Sequence, residues 1–302
     1  MSSSAPEDVV RPFRRYLSKT PEVTVFFWIV KVLASVAGGV IADLLTTTVG
    51  LGLGITTMLV ATAVAAVMLV VFATARFVPR LYWLAVVLIS VAGTLLVDNL
   101  TEILEVPLGA AVIALAVLLI GTLATWFATE RTLSIHTIDT TRREAFHWLA
   151  VTLTFALGTA VQRFAVAEFA AGYESIILTC AAVLMVAWLG RRLAGVGNLI
   201  AFWVSYTATQ PLGIAVGGLL SDPRAAGGLG IGTTGTTAVV LPAIAAVAGY
   251  LSTTHRDDPS LDNATQHVRS RRDRDAHQPS VATRASRGRI ARVTRNGRFG
   301  SR

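Results

Sequence analysis

The chain has 302 residues, 53% of them apolar and 15% charged, with a mean hydropathy of +0.62. Soluble domains carry about a quarter charged residues, so this balance excludes an ordinary water-soluble domain and makes lipid the expected solvent. The formal charge of +8 would suggest a nucleic-acid partner in a soluble protein, but here it lies almost wholly outside the apolar runs.

Residues 1–21 read as a polar N-terminal segment with no apolar core of the signal-peptide kind. Insertion therefore falls to the first helix. A membrane helix needs about 20 mostly apolar residues, and eight stretches of residues 22–252 supply them: about 23–45, 51–75, 81–100, 107–128, 146–169, 173–190, 198–220 and 233–252. None alternates as a barrel strand does. The expected fold is an all-α polytopic membrane bundle of eight transmembrane helices.

Arginine placement sets the expected orientation, because cytoplasmic loops keep Lys and Arg near the membrane ends. One set of connections holds Arg11, Arg14, Arg15, Lys19, Arg76, Arg80, Arg131, Arg142, Arg143, Arg191 and Arg192, and the opposite set only Arg224. Both termini are expected in the cytoplasm.

Trp28, Trp83, Trp148 and Trp203 each follow a ring, Phe27, Tyr82, His147 or Phe202, and ten residues after each stands Gly38, Gly93, Gly158 or Gly213. The spacing makes four two-helix repeats, about 22–77, 78–130, 140–192 and 197–252. Two crossings return the chain to the same side, so the repeats run parallel about an axis along the membrane normal. The tryptophans are expected as interfacial anchors. The glycines fall near mid-membrane, where small residues permit close helix contact, so the odd-numbered helices are placed at the centre and the Ala-, Val- and Leu-rich even-numbered ones toward lipid.

Fifteen residues after each Trp stand Asp43, Asp98, Arg163 and Gly218. These equivalent positions are expected in one layer, either as a buried ionic network with Arg163 forking to carboxylates or as helix-end charges meeting water. Lys31, within the first helix, either snorkels to the interface or works inside the bundle. Gln210 and Pro211 interrupt the seventh helix, as a packing kink or as a break lining a substrate site. Lys31 and Gln210 complete the candidate intramembrane polar network.

No nucleophile elbow, HExxH, phosphate loop or paired cysteines occur, so no enzyme, cofactor or metal site is expected. His136 and His147 flank the central loop and read as ordinary loop polars; lone Cys180 reads as a small buried hydrophobe. The glycine clusters at Gly50 and Gly227 read as turns before helices. Residues 253–302 form a basic tail with 12 arginines between Arg256 and Arg302, of disordered composition. It reads first as a solvated extension without a function of its own; as a binding segment, anionic lipid on the inner leaflet is its simplest partner and nucleic acid the weaker one.

The segments PEVTVFFWIVKVLA from Pro21, LYWLAVVLISVAGTLLVDNL from Leu81, HWLAVTLTFALGTA from His147 and FWVSYTATQPLG from Phe202 resemble a bacterial family of uncharacterised membrane-anchored proteins, built from four tandem Trp-bearing two-helix repeats of unknown function. The resemblance implies the eight-helix fold, a bacterial inner-membrane location, an acid after each glycine and an extra Glu in the first repeat. Here Arg163 and Gly218 stand at the third and fourth acid positions, and Gly39 in place of the extra Glu. Two functions are expected from this reading: a transporter or permease for a small solute or ion, and alternatively a non-transporting scaffold or regulator acting through partners or its tail.

Overall fold

The computed structural model describes residues 20–254 except 22, 75, 76, 135–137, 139, 194 and 196, and of residue 198 the backbone. The N-terminal segment before residue 20, Arg76, His136 and the tail from residue 255 lie outside the described residues. The described helices fall in the first of two units, Met1–Pro259; the second is Ser260–Arg302.

Among the described residues eight helices are long and apolar enough to cross a membrane: α1 Val25–Asp43, α2 Gly52–Ala73, α3 Pro79–Asp98, α4 Leu108–Glu130, α5 Thr141–Phe169, α6 Tyr173–Leu193, α7 Asn198–Ser221 and α8 Gly232–Thr254. Local chemistry sets their ends. The Thr24 side chain accepts from the Phe27 amide at the start of α1, and Thr140 caps α5 through the Arg143 amide. Pro79 starts α3 where a missing N–H costs nothing. In the first two repeats the helix widens immediately after the acid into π-helical turns, Leu44–Thr48 and Asn99–Ile103, so the repeat register extends to backbone winding. α5 and α7 show no such widening. α7 runs continuously through Pro211, so the expected interruption there is not a break.

The odd-numbered helices form the centre. In the most apolar stretch of each, 44–72% of residues are buried, against 11–28% in the even-numbered helices. The even helices turn Ile55, Met58, Leu69, Ile113, Val117, Ile120, Leu178 and Val186 outward. An apolar exterior of this extent belongs in hydrocarbon rather than water.

The inner helices close a ring in the order α1, α3, α5, α7 and back to α1. Each repeat glycine makes one joint of it. A Cβ on Gly38 would strike Ser90, one on Gly93 would lie 2.8 Å from Phe155 Cβ and 3.0 Å from the Ala156 nitrogen, one on Gly158 would lie 2.9 Å from Pro211 Cδ and also meet Gln210, and one on Gly213 would strike Ser35. Ser35, Ser90, Phe155 and Gln210 each stand seven residues after a repeat Trp, so glycine and partner recur at fixed positions around the whole ring. Absence of a side chain lets the backbones approach and gain dispersion along their contact. The outer helices follow the same rotation: α2 packs chiefly on α3, α4 on α5, α6 on α7 and α8 on α1. The hairpin is thus the sequence unit, while each outer helix is seated on the next repeat.

The tryptophans are structural members of the ring rather than lipid-facing anchors. Trp83, Trp148 and Trp203 are 2%, 6% and 7% exposed, and Trp28 is half-buried. Each contacts its preceding ring at a steep angle, at centroid separations of 5.1–5.4 Å. Across repeats, Phe27 meets Trp83, Tyr82 meets Trp148 and Phe202 meets Trp28. Edge and tilted contacts of this kind add to apolar burial. Together with Trp126, buried against Trp203, they fill this end of the bundle, the Trp end, with packed rings.

The glycine joints generate a direct test. Gly93→Val forces a side chain into the α5 backbone and should cost about 1–3 kcal/mol as overpacking does, read as a fall of several degrees in the unfolding midpoint of detergent-solubilised protein. Gly121→Val on α4, where a Cβ meets nothing within 4 Å, should leave the midpoint within about one degree. Equal effects would contradict the joint.

Candidate functional site

Opposite the Trp end, the ring encloses a cavity of about 140 Å³. Its floor is one complete repeat layer, Gly39, Thr94, Thr159 and Ile214, each eleven residues after a Trp. All four inner helices thus contribute one position to it, which places the cavity on the bundle axis. Above the floor stand Asp43, Gln162, Arg163, Tyr173, Gly218 and Asp222. A wider cleft of about 460 Å³, between the α5–α6 turn and residues Ala226 and Gly227, shares Gln162, Arg163 and Tyr173 with the cavity and adjoins it.

The three repeat-related charges come together here. Arg163 Nη1 pairs with Asp98 Oδ1 across the α3–α5 joint; the carboxylate is buried and the guanidinium 29% exposed. Asp43, exposed at the mouth, lines the same cavity as Arg163. Of the two arrangements open from sequence, helix-end charges meeting water or an ionic cluster, Asp98 and Arg163 adopt the second. The cost of dehydrating Asp98 is offset by a fixed cation one helix away.

Gly218, the fourth repeat-equivalent position, has a steric function. A Cβ there would lie 2.6 Å from Tyr173 Cε1, so the glycine admits the tyrosine ring, whose hydroxyl donates to Asp222 Oδ2. Asp222 stands nineteen residues after Trp203, in register with Glu102 after Trp83. The fourth repeat therefore supplies an acid to the cavity one turn later than the others. The connection after it fixes Asp222 in place: Gly230 N donates to Asp222 O at 2.9 Å, and a Cβ on Gly228 would collide with the Asp222 backbone. The glycine cluster at Gly227 forms the turn expected of it, with Gly227, Gly230 and Gly232 in the left-handed region. Sequence reasoning missed Asp222 and Tyr173; the register shared with Glu102 was the signal for the first, and Tyr173 carried none.

Lys31 and Gln210 do not join this charged cluster; they lie beneath its floor. Lys31 is 1% exposed and does not snorkel. Its Nζ donates to Ser35 Oγ at 3.2 Å and lies 3.8 Å from the Phe155 ring centroid and 4.5 Å from that of Tyr206. Because α5 stands diagonally across the ring from α1, this side chain crosses the axis. Gln210 is fully buried, and among the described residues neither its Oε1 nor its Nε2 finds a hydrogen-bond partner; Ser90 Oγ and the Tyr206 hydroxyl are likewise unpartnered. His147, expected beside a loop, is buried on α5 with its Nε2 3.5 Å from the Tyr82 hydroxyl. Among the described residues no group of three metal-ligating side chains occurs. Cys180 is buried and free.

A family model for the Repeat of Unknown Function (DUF347) matches residues 26–77, 81–132 and 201–257, together more than half of the chain. The chain belongs to the DUF347 repeat family. The matched stretches are the first, second and fourth repeats. The third lies between matches, yet its Trp148, Gly158 and Arg163 occupy the same places in the ring as their DUF347 counterparts, and it contributes the basic member of the charged cluster. No curated protein and no solved structure matches the chain.

The Asp98–Arg163 pair predicts non-additive stability. Arg163→Gln leaves a buried carboxylate unpaired and should cost about 2–3 kcal/mol, the lower range for broken buried pairs because the guanidinium is partly solvated. Adding Asp98→Asn should restore much of that loss. Thermal unfolding of the two singles and the double checks this; additive losses would contradict the pairing.

Proposed function

We propose that this DUF347-repeat protein is a membrane transporter for a small cation or a small solute bearing a cationic group, with its substrate site in the axial cavity. The observation carrying this reading is that Asp43, Arg163 and Asp222 line one cavity, with Asp98 held against Arg163 beside it. With Arg163 neutralised by Asp98, the Asp43 and Asp222 carboxylates give the cavity an excess of negative charge. Such charge within membrane-spanning helices is costly and is retained chiefly along substrate and ion paths. A volume of about 140 Å³ corresponds to roughly four or five waters at liquid density, which favours an ion or a solute of few heavy atoms. Sites of this kind in repeat-built transporters lie at the repeat interface.

The same reading places the protein in a bacterial inner membrane with the Trp end facing the cytoplasm. Arg80, Arg131, Arg142, Arg143, Arg191 and Arg192 flank helices at the Trp end and Arg224 lies at the other, as the positive-inside rule requires. On a Cys180→Ser background, Ala225→Cys should react with a membrane-impermeant maleimide in intact spheroplasts, and Leu193→Cys after permeabilisation. The reverse pattern would invert the assignment.

Flux in proteoliposomes tests the transport reading. Purified full-length protein is assayed for uptake of sodium, potassium, magnesium, calcium and methylammonium. At least one should move faster than in empty vesicles, with Asp43→Asn and Asp222→Asn each lowering the rate tenfold or more and Glu105→Gln, in an exposed turn, leaving it unchanged. Flux of none, or flux indifferent to both cavity carboxylates, rejects the assignment. The non-transporting scaffold reading then stands, and it expects loss of function on deleting residues 253–302.

A further inference from the structure

The chain uses 24 arginines but only two lysines, Lys19 and Lys31. Lys31 is also the one Lys or Arg fully buried among the described residues. A position on the axis of the bundle has therefore been given the basic residue that the rest of the chain avoids. The two differ in one property that matters there: a guanidinium stays charged in any protein environment, whereas an amine on a flexible stem can take up or give up a proton.

The surroundings suit a group that alternates between those forms. In the layer three residues after each Trp, Lys31 faces Val86 from α3, Val151 from α5 and Tyr206 from α7; the Tyr206 phenol is the titratable group of that layer. Toward the Trp end lie Tyr82 on α3 and Glu144 and His147 on α5. Among the described residues Lys31 forms no ion pair. The ammonium is met by the Ser35 hydroxyl and by the faces of Phe155 and Tyr206. Cation–π contacts offset part of the cost of dehydrating an ion, but less than burying an uncompensated charge costs. The neutral amine keeps the same hydrogen bond to Ser35 and loses only the cation–π attraction. Directly above, the layer of Ser35, Ser90 and Gln210 holds unpartnered polar atoms at Ser90 Oγ and at both ends of the Gln210 amide. It is the step between Lys31 and the threonine floor of the cavity.

We propose that Lys31 is a proton-binding site on the bundle axis, taking up and releasing one proton at the foot of the carboxylate-lined cavity. On release an Nζ–H bond breaks, nitrogen keeps the electron pair as a neutral amine, and the proton passes to Ser35 Oγ once that hydroxyl has turned its own hydrogen from the Lys31 carbonyl, where it is donated at 2.9 Å, toward the Ser90–Gln210 layer and gives it up to the cavity. Uptake is the reverse. This deepens the transport reading and rests on it for its role in the cell: the proton becomes the ion coupled to the solute.

The lysine-poor composition makes the test direct. In full-length Lys19→Arg protein Lys31 is the single lysine, so biosynthetic [15Nζ]lysine gives one resonance when the protein is reconstituted in lipid bilayers and followed by solid-state NMR from pH 5 to pH 9. The proposal predicts that this resonance passes between the ammonium and amine positions within that range. A resonance fixed at either position throughout overturns it. Lys31→Arg, if folded, should lose coupling of any cation flux to an imposed pH gradient, and unchanged coupling also overturns the proposal. The two readings fail separately: cation flux with a Lys31 resonance that never changes charge state keeps transport and rejects the proton site. A titrating Lys31 in vesicles that carry no cation keeps the proton site and rejects transport.

Discussion

Two helices can meet backbone to backbone only where one of them offers no side chain, and in this bundle that condition is met four times at the same register. Gly38, Gly93, Gly158 and Gly213 each receive the residue seven places after the Trp of the next inner helix, and the fourth contact returns to α1. Without the close approach, the space on the axis would have to be filled by larger apolar side chains. The Lys31 side chain would then no longer reach the α5 and α7 rings. At the Trp end three of the four steps around the ring are also made by contacts between aromatic doublets.

Near-symmetry of the backbone contrasts with asymmetry of the chemistry placed on it. The layer that carries acids in the first two repeats carries Arg163 in the third and Gly218 in the fourth, and each departure has a local account. Arg163 neutralises the buried Asp98; Gly218 admits Tyr173, which holds Asp222. One layer pattern is thereby turned into a cavity with distinct walls. Below it, Lys31 stands where the other repeats have Val86, Val151 and Tyr206, so the axial cation is unique to the first repeat.

The eight spans, the inner ring and the convergence of Asp43, Asp98 and Arg163 were legible because Trp, Gly and charge recur at fixed offsets, and a repeat fixes equivalence even where helix ends are uncertain. The tryptophans were misread because an indole near a helix end has the same local sequence whether it faces lipid or a neighbouring helix; the preceding ring in every repeat was the sign of a packed joint. Lys31 reads as snorkelling by depth alone. Its face, shared with Ser35, Gly38 and Ala42 at helical spacing, runs to the glycine contact and so points inward. Pro211 looks like a helix break in sequence, but its ring lies against Gly158 and α7 continues through it. Asp222 escaped because its glycine-rich turn and Tyr173, from a different helix, jointly place it, and no single offset encodes both.

Closure of the ring between the first and last repeats is the claim on which the axis, the cavity and the seat of Lys31 all depend. The hydroxyls of Thr48, at the end of the first inner helix, and Thr233, at the start of α8, lie 2.9 Å apart. On a Cys180→Ser background, Thr48→Cys with Thr233→Cys, oxidised in native membranes, should form an intramolecular disulfide in high yield, joining fragments after cleavage at a protease site inserted in the 131–140 loop. Disulfides found only between separate chains, or no cross-link at all, would contradict the closed ring.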